Sequence, residues 1–184
     1  MRRSGLILRA RQRPASTAET AQPRSMRSWR EADQQVINMP LIRPRVAAYV
    51  VRRLGDGIEL LVFDLEGLPE MGTQVPAGGI RSTESRKEAA LREVKEETGL
   101  VAVRVVTELG IIESPHPASG QSRQTSYWVL EAAEELPSEW RHVVASDDED
   151  GGIVFLCRWE PLPLVVALVD QQGSLLSQLP LLLG

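Results

Sequence analysis

The sequence predicts an α/β (α+β) domain, in which a β-sheet and a few helices share one core. Apolar, β-branched runs separated by turn residues predict strands, and the first two flank Gly55-Asp56-Gly57, a hairpin signal. One later segment carries helix start and stop signals, and a C-terminal segment has apolar residues at helical spacing. The 184 residues are enough for one domain of average size with a substantial core.

Short apolar runs bounded by turn residues predict six strands. Two of them form the hairpin, a short one enters a glycine-rich loop, and three follow the central helix. In chain order the predicted strands cover residues 45–53, 58–65, 73–75, 102–113, 126–132 and 153–159.

Two helices are predicted. Ser85 and Glu88 form a capping box, so the first helix should begin at Arg86, and Gly99 supplies the left-handed residue that ends it. The second prediction is a C-terminal helix within residues 164–182 lying over the sheet, limited in length by Gly173 and Pro180.

The first helix carries three carboxylates on one face. Glu93, Glu96 and Glu97 are related by i+3 and i+4 spacing, which is destabilising for like charges on their own. A divalent cation would relieve that repulsion, and carboxylate oxygens suit magnesium or manganese. The alternative is a solvated acidic face with no ligand.

The residues around the helix favour the metal site over the solvated face. Gly78 and Gly79 allow a tight backbone turn before the helix, and Pro76 stiffens the approach to it. Glu84 precedes the helix at a position from which it can pair with Arg92 and fix the loop. A solvated acidic face requires none of these features.

These residues together resemble the Nudix box of MutT-like Nudix hydrolases, which split a diphosphate linked to another group. The pattern is Gly78, five residues, Glu84, seven residues, then Arg-Glu-Val-Lys-Glu-Glu-Thr-Gly-Leu over residues 92–100. The resemblance implies a mixed β-sheet sandwiched between α-helices, and a metal-dependent hydrolase using Mg²⁺ or Mn²⁺. It implies metal-binding and catalytic roles for Glu93, Glu96 and Glu97, one of the last two acting on the attacking water. It gives Gly78, Glu84, Arg92 and Gly99 roles in loop structure.

The substrate-binding residues are predicted from the polar stretch 114–124, which lies between two predicted strands. His116 is a candidate for a base or a phosphate contact, and Arg123 for a phosphate contact; either could instead be an ordinary exposed side chain. Nudix members that hydrolyse ADP-ribose tend to carry a proline at the position of His116. Here that position is a histidine flanked by Pro115 and Pro117, which disfavours ADP-ribose. The resemblance implies a small nucleotide substrate without identifying it.

Charge and composition divide the chain into two parts. Residues 1–38 carry eight arginines against three acidic residues, a net charge of +5, which leaves −9 on residues 39–184. We expect residues 1–38 to be a disordered basic extension, with a transit peptide or a start at Met39 as alternatives, and residues 39–184 to be the hydrolase domain. The single Cys157 fits a reducing, cytoplasmic location, and no apolar run is long enough for a membrane span.

The acidic body disfavours extended nucleic acid as a partner, whereas a small phosphorylated metabolite bridged by a metal ion is compatible with it. Two other functions stay open: a Nudix-like sensor that binds a metabolite without cleaving it, and an RNA 5′-end pyrophosphohydrolase. The sequence also leaves a homodimer open.

Overall fold

The computed structural model describes residues 42–115, 119–133, 136–144 and 152–183. Within them the chain forms one mixed sheet and two α-helices. The strands are β1 (Arg43–Leu54), β2 (Gly57–Leu65), β3 (Ala77–Gly79), β4 (Val103–Pro115), β5 (Ser122–Ala132), β6 (Glu139–Val143) and β7 (Val154–Pro161). The helices are α1 (Arg86–Thr98) and α2 (Leu179–Leu183), with 3-10 turns at Pro69–Met71 and Leu176–Gln178.

Strand β1 lies at the centre of the sheet, whose order is β4-β5-β1-β2-β7-β6 with β3 paired to β1. It pairs antiparallel with β2 through the predicted hairpin and parallel with β5. The sheet is therefore mixed, and the predicted fold class is confirmed.

The two faces of the sheet are covered by different parts of the chain. Alternate residues of a strand point to opposite faces. Ala48 and Val50 pack in the cluster that contains Val94 of α1. Ala47, Tyr49 and Val51 pack in the cluster that contains Leu179 and Leu183 of α2. Full burial of a side chain such as Val94 contributes about 1.5–3 kcal/mol, so α1 is anchored mainly by its apolar side.

The predicted C-terminal helix over residues 164–182 is wrong. That segment is mostly turns and ends in a 3-10 turn and the short α2; Asp170 has a positive φ of 51°, which a continuous right-handed helix cannot accommodate. It is fixed by hydrogen bonds instead. The Tyr49 hydroxyl donates to the Gln172 carbonyl at 2.6 Å, and the Val169 amide donates to the Thr73 carbonyl at 3.0 Å.

Two further differences concern strands. The strand predicted at residues 73–75 is reduced to isolated bridges at Thr73 and Gln74, and pairing with β1 occurs at β3 instead. Strand β6 was not predicted, because its burial pattern is mostly exposed and its apolar signal is short. Strands β3 and β6 both lie beside α1 and contribute to the candidate active site.

Three further predictions concern residues 1–38, Cys157 and the absence of a membrane span. Residues 1–38 lie outside the described residues. Cys157 is buried in β7, where burial and the nearby charge of Glu97 raise the pKa of its thiol to about 12. In the part of the chain that the structure describes, no helix is long and apolar enough to cross a membrane.

Candidate active site

Helix α1 begins and ends where its sequence signals place it. Ser85 accepts a hydrogen bond from the Glu88 amide at 3.2 Å, and the Glu88 carboxylate accepts one from the Ser85 amide at 2.8 Å. At the other end Gly99 adopts a left-handed conformation with φ of 77°. The capping box therefore sets the start of the helix that carries the three glutamates.

Arg92 links the loop before α1 to the helix itself. Its Nε and Nη2 donate to the two carboxylate oxygens of Glu84 at 3.0 and 2.7 Å, and Nη2 also donates to the Gly79 carbonyl at 2.8 Å. The hydrogen bond from Arg92 holds the pKa of the Glu84 carboxyl below its ordinary value. This bidentate pair fixes the glycine-containing loop against the helix.

Glu93 is buried against the backbone of β3. Its side chain leaves no room at Gly78, where an added Cβ would lie 1.9 Å from Glu93 Oε1. Burial raises the pKa of Glu93, while the positive charge of Arg92, whose Nη1 donates to Glu93 Oε1 at 2.8 Å, acts in the opposite direction. A carboxylate in this position needs a cation to remain charged at low cost.

Glu96 and Glu97 are consecutive residues on the last turn of α1, and they differ in their partners and in burial. The Ala77 amide donates to Glu97 Oε2 at 2.9 Å, which orients a carboxylate that is itself buried. Glu96 is more accessible and accepts from Arg92 at 2.9 Å and from Arg81 at 3.3 Å. Arginines thus neutralise part of the carboxylate charge.

The donor set fits magnesium or manganese in chemistry, because it offers several carboxylate oxygens at one end of a rigid helix. Within residues 42–115, 119–133, 136–144 and 152–183, however, no group of three or more His, Cys, Asp or Glu side chains is arranged to hold a metal. Arg92 engages one carboxylate oxygen of Glu93 and one of Glu96, and a metal ion bound by these oxygens would have to displace it.

The C-terminal end of α1 is held by the edge strand β6. The Trp140 Nε1 donates to the Thr98 carbonyl at 2.8 Å, and a ring nitrogen of His142 lies 2.9 Å from the Glu96 carbonyl. Gly99 is needed here for its positive φ and because an added Cβ would approach the His142 ring at 2.9 Å. Strand β6 therefore positions the turn that carries Glu96 and Glu97.

A small polar cavity of about 20 Å³ lies beside Ala77, and Arg123 lines it. Arg123 is buried on β5, not on the predicted loop, and its Nε and Nη2 donate to Ser114 Oγ at 3.3 Å and Asp170 Oδ2 at 3.2 Å. His116, the other predicted substrate-binding residue, lies outside the described residues.

Arg45 of β1 also lines this cavity and was not predicted from the sequence. It is the third residue of β1, and the next residues on its face, Ala47, Tyr49 and Val51, are apolar core residues, so no local pattern marked Arg45 as part of a site. The pairing of Arg45 with Gly79 could not be read from the sequence, because β1 and β3 meet only in the folded sheet.

The comparisons with known proteins agree with this geometry. The sequence matches the family described as NUDIX domain over residues 43–177. No curated protein matches it. The structure resembles the C. elegans Ap4A hydrolase, with a TM-score of 0.56 and 21% identity over 78% of this chain and 100% of that one.

Two other solved structures show the same likeness. The NUDIX domain of Shewanella oneidensis NrtR, complexed with ADP ribose, has a TM-score of 0.59 and 16% identity over 83% of this chain and 98% of that one. The M. smegmatis Nudix hydrolase RenU has a TM-score of 0.54 and 17% identity over 75% of this chain and 84% of that one. At these identities the likeness shows a shared fold.

The mixed sheet and the capped carboxylate helix define a protein of the diphosphate-hydrolase class. The family match covers most of the chain, and the chain belongs to the Nudix family. The predicted family and the predicted enzyme class, a Nudix pyrophosphohydrolase, are confirmed.

Proposed function

We propose that this protein is a metal-dependent hydrolase that cleaves the diphosphate bond of a nucleoside diphosphate linked to another group. The observation that carries the proposal is the placement of Glu93, Glu96 and Glu97 on the last two turns of α1, where β3 approaches the helix so closely that Glu93 leaves no room for a Cβ at Gly78. Two proteins of the same fold are an Ap4A hydrolase and a domain complexed with ADP ribose. Both ligands contain phosphates joined in an anhydride, which supports this substrate class.

Glu93, Glu96 and Glu97 would hold the magnesium or manganese ion. When bound, the ion would neutralise charge on the diphosphate and lower the pKa of the attacking water. Either Glu96 or Glu97 accepts the proton of that water. Glu97 has a fixed orientation, because the Ala77 amide donates to it, whereas Glu96 is the more accessible of the two.

The remaining residues keep this arrangement rigid. Arg92 bridges Glu84 and the helix, so the loop at Gly79 cannot move independently of the glutamates. Trp140 and His142 fix the C-terminal turn of α1 from the other side. A nucleophile and its orienting groups held in this way need little reorganisation during the reaction.

A metabolite sensor is the second candidate, and one observation favours it. The NrtR domain that shares this fold is complexed with ADP ribose, and NrtR has also been crystallised with a 27mer DNA. A domain of this fold can therefore bind a nucleotide metabolite as part of a DNA-binding protein. The three box glutamates favour the hydrolase, because a sensor does not require them.

Turnover with magnesium separates the two candidates. We expect the protein to release phosphate products from at least one member of a panel of nucleotides, nucleotide sugars and dinucleotides, and to lose that activity with a chelator. Glu96→Gln and Glu97→Gln should lower kcat by about 100-fold or more, as expected for loss of a group acting on the water. Glu70→Gln, which removes an exposed carboxylate from a 3-10 turn, is the matched control.

Two results would contradict the hydrolase. Full activity after exhaustive chelation would exclude the metal-dependent reaction. Tight binding of a panel member without turnover in the wild-type protein would favour the sensor instead.

A further inference from the structure

Arg45 differs from the other arginine of the cavity, because no residue that the structure describes is its counter-ion. Arg123 is paired with Asp170, at 3.2 Å. Arg45 is half-buried and lines the same cavity, yet it makes no hydrogen bond or ion pair with any residue that the structure describes. The two arginines and one aspartate leave a net positive charge in a confined polar space, which favours an anionic ligand.

The position of Arg45 relates this charge to the glutamates. Arg45 pairs with Gly79 across β1 and β3, and Val46 pairs with Gly78, against which Glu93 packs. Because side chains alternate along a strand, Arg45 lies on the face of the sheet that carries Ala47, away from α1. Strand β3 therefore separates the arginine cavity from the carboxylates.

The backbone between the two sides is thin and accessible. At Gly79 an added Cβ would meet no atom within 4 Å, so the edge of β3 is open to a ligand. A ligand crossing the edge of β3 would therefore have Arg45 on one side and Glu93 on the other.

We propose that Arg45, with Arg123 held beside it by Asp170, binds one phosphate group of the substrate on the far side of β3 from the metal-binding glutamates. This rests on the proposed function and adds a specificity to it: the site takes two linked phosphates, one at the glutamates and one at the arginines. A guanidinium suits this role, because its planar donors match two phosphate oxygens. A substrate with a single phosphate fills only one half of the site.

The arginine half can be tested without any metal. Inorganic pyrophosphate is titrated in the presence of EDTA into the wild-type protein, Arg45→Gln, Arg45→Lys and Arg141→Gln, and binding is followed by phosphorus NMR. We expect Arg45→Gln to weaken binding about tenfold or more, as for loss of a charge-assisted hydrogen bond, and Arg45→Lys to weaken it less. Arg141→Gln is the matched control, because it removes an exposed arginine on the edge strand β6, which is separated from β1 by β2 and β7.

Manganese binding without substrate, measured by electron paramagnetic resonance, checks that the glutamate half is intact. Arg45→Gln should bind manganese within about twofold of wild type, since β3 lies between Arg45 and the glutamates. Arg45→Lys keeps the charge and an aliphatic stem, and it serves if Arg45→Gln fails to fold: it should still bind pyrophosphate more weakly than wild type does.

The site and the hydrolase can fail separately. Pyrophosphate binding that is unchanged in Arg45→Gln, or equally weakened in Arg141→Gln, overturns the arginine site, whatever the turnover. Binding that depends on Arg45 in a protein without turnover on any substrate supports the arginine site and rejects the hydrolase. With turnover present, the site requires KM to rise in Arg45→Gln more than kcat falls, and an unchanged KM overturns it.

Discussion

At the scale of single residues, Glu93 places an ionisable carboxylate in a buried position, where its charged form is costly. Its neighbours Glu84 and Glu96 are paired with arginines at or near the surface, whereas Glu93 is buried against Gly78. The resemblance to the box identified Glu93 as a candidate ligand. Its burial depends on how closely β3 approaches α1, and no local sequence signal gives that distance.

Glu93→Gln should raise the stability of the metal-free protein near neutral pH. Burial raises the pKa of Glu93 in the folded state, so its contribution to stability is fully present below the unfolded pKa and is lost as the pH rises through the folded pKa. Removing the charge should therefore raise the thermal midpoint by a few degrees at pH 7 in EDTA. The gain should vanish near pH 4, close to the ordinary pKa of about 4.3, where Glu93 is protonated anyway.

Thermal unfolding followed by circular dichroism measures this effect, with Glu70→Gln as the exposed control. A lower midpoint for Glu93→Gln at pH 7 would mean that its ion pair with Arg92 outweighs the cost of burying it.

At the scale of elements, α1 and its ion pair between Arg92 and Glu84 were predicted from the sequence, whereas the contacts of β3 and β6 with α1 were not. The helix is defined by local signals, namely the Ser85 and Glu88 capping box and Gly99, and the structure agrees with each. Strands β3 and β6 are short, and both act through contacts with α1 that are distant in the chain. Local patterns predict elements that stabilise themselves better than elements that exist only because of their neighbours.

The contact between β3 and α1 gives a matched pair of substitutions. Gly78→Ala would place a Cβ 1.9 Å from Glu93 Oε1, so Glu93 or the strand must move, whereas Gly79→Ala meets no atom within 4 Å. We expect Gly78→Ala to destabilise the protein by about 1–3 kcal/mol and to weaken manganese binding. Gly79→Ala should change the stability by less than about 0.5 kcal/mol.

Chemical denaturation and paramagnetic resonance of bound manganese provide the two measurements. Equal losses in both variants would show that a general loss of backbone freedom, and not the position of Glu93, controls this loop.

At the scale of the whole molecule, the chain divides by charge. Residues 39–184 carry −9 and residues 1–38 carry +5. The family match begins at residue 43, and the first strand begins at Arg43. From the sequence we predict a boundary between residues 38 and 39, because residues 1–38 lack hydrophobic periodicity; this signal does not depend on the fold.

Deletion of residues 1–38 should leave the domain folded and active. We expect the thermal midpoint to change by no more than a few degrees and kcat/KM to be retained at physiological salt, because residues 1–38 have no sustained hydrophobic period that would add to a core. Activity that rises on deletion only at low salt would indicate electrostatic docking of the arginines on the acidic domain. A truncated protein that does not fold at either salt concentration would place the boundary elsewhere.

The parallel pairing of β1 with β5 has a consequence for synthesis on the ribosome. Arg43 pairs with Arg123 and Val51 with Glu131, so β1 cannot form its parallel contact until β5, eighty residues later in the chain, has been synthesised. The hairpin of β1 and β2 is local and can form early, whereas the parallel contact requires a long loop to close and is intrinsically slow. When α1 has emerged from the ribosome, β5 has not yet been synthesised, and the side of β1 that pairs with β5 is still exposed. The nascent chain is most open to misassembly during that interval.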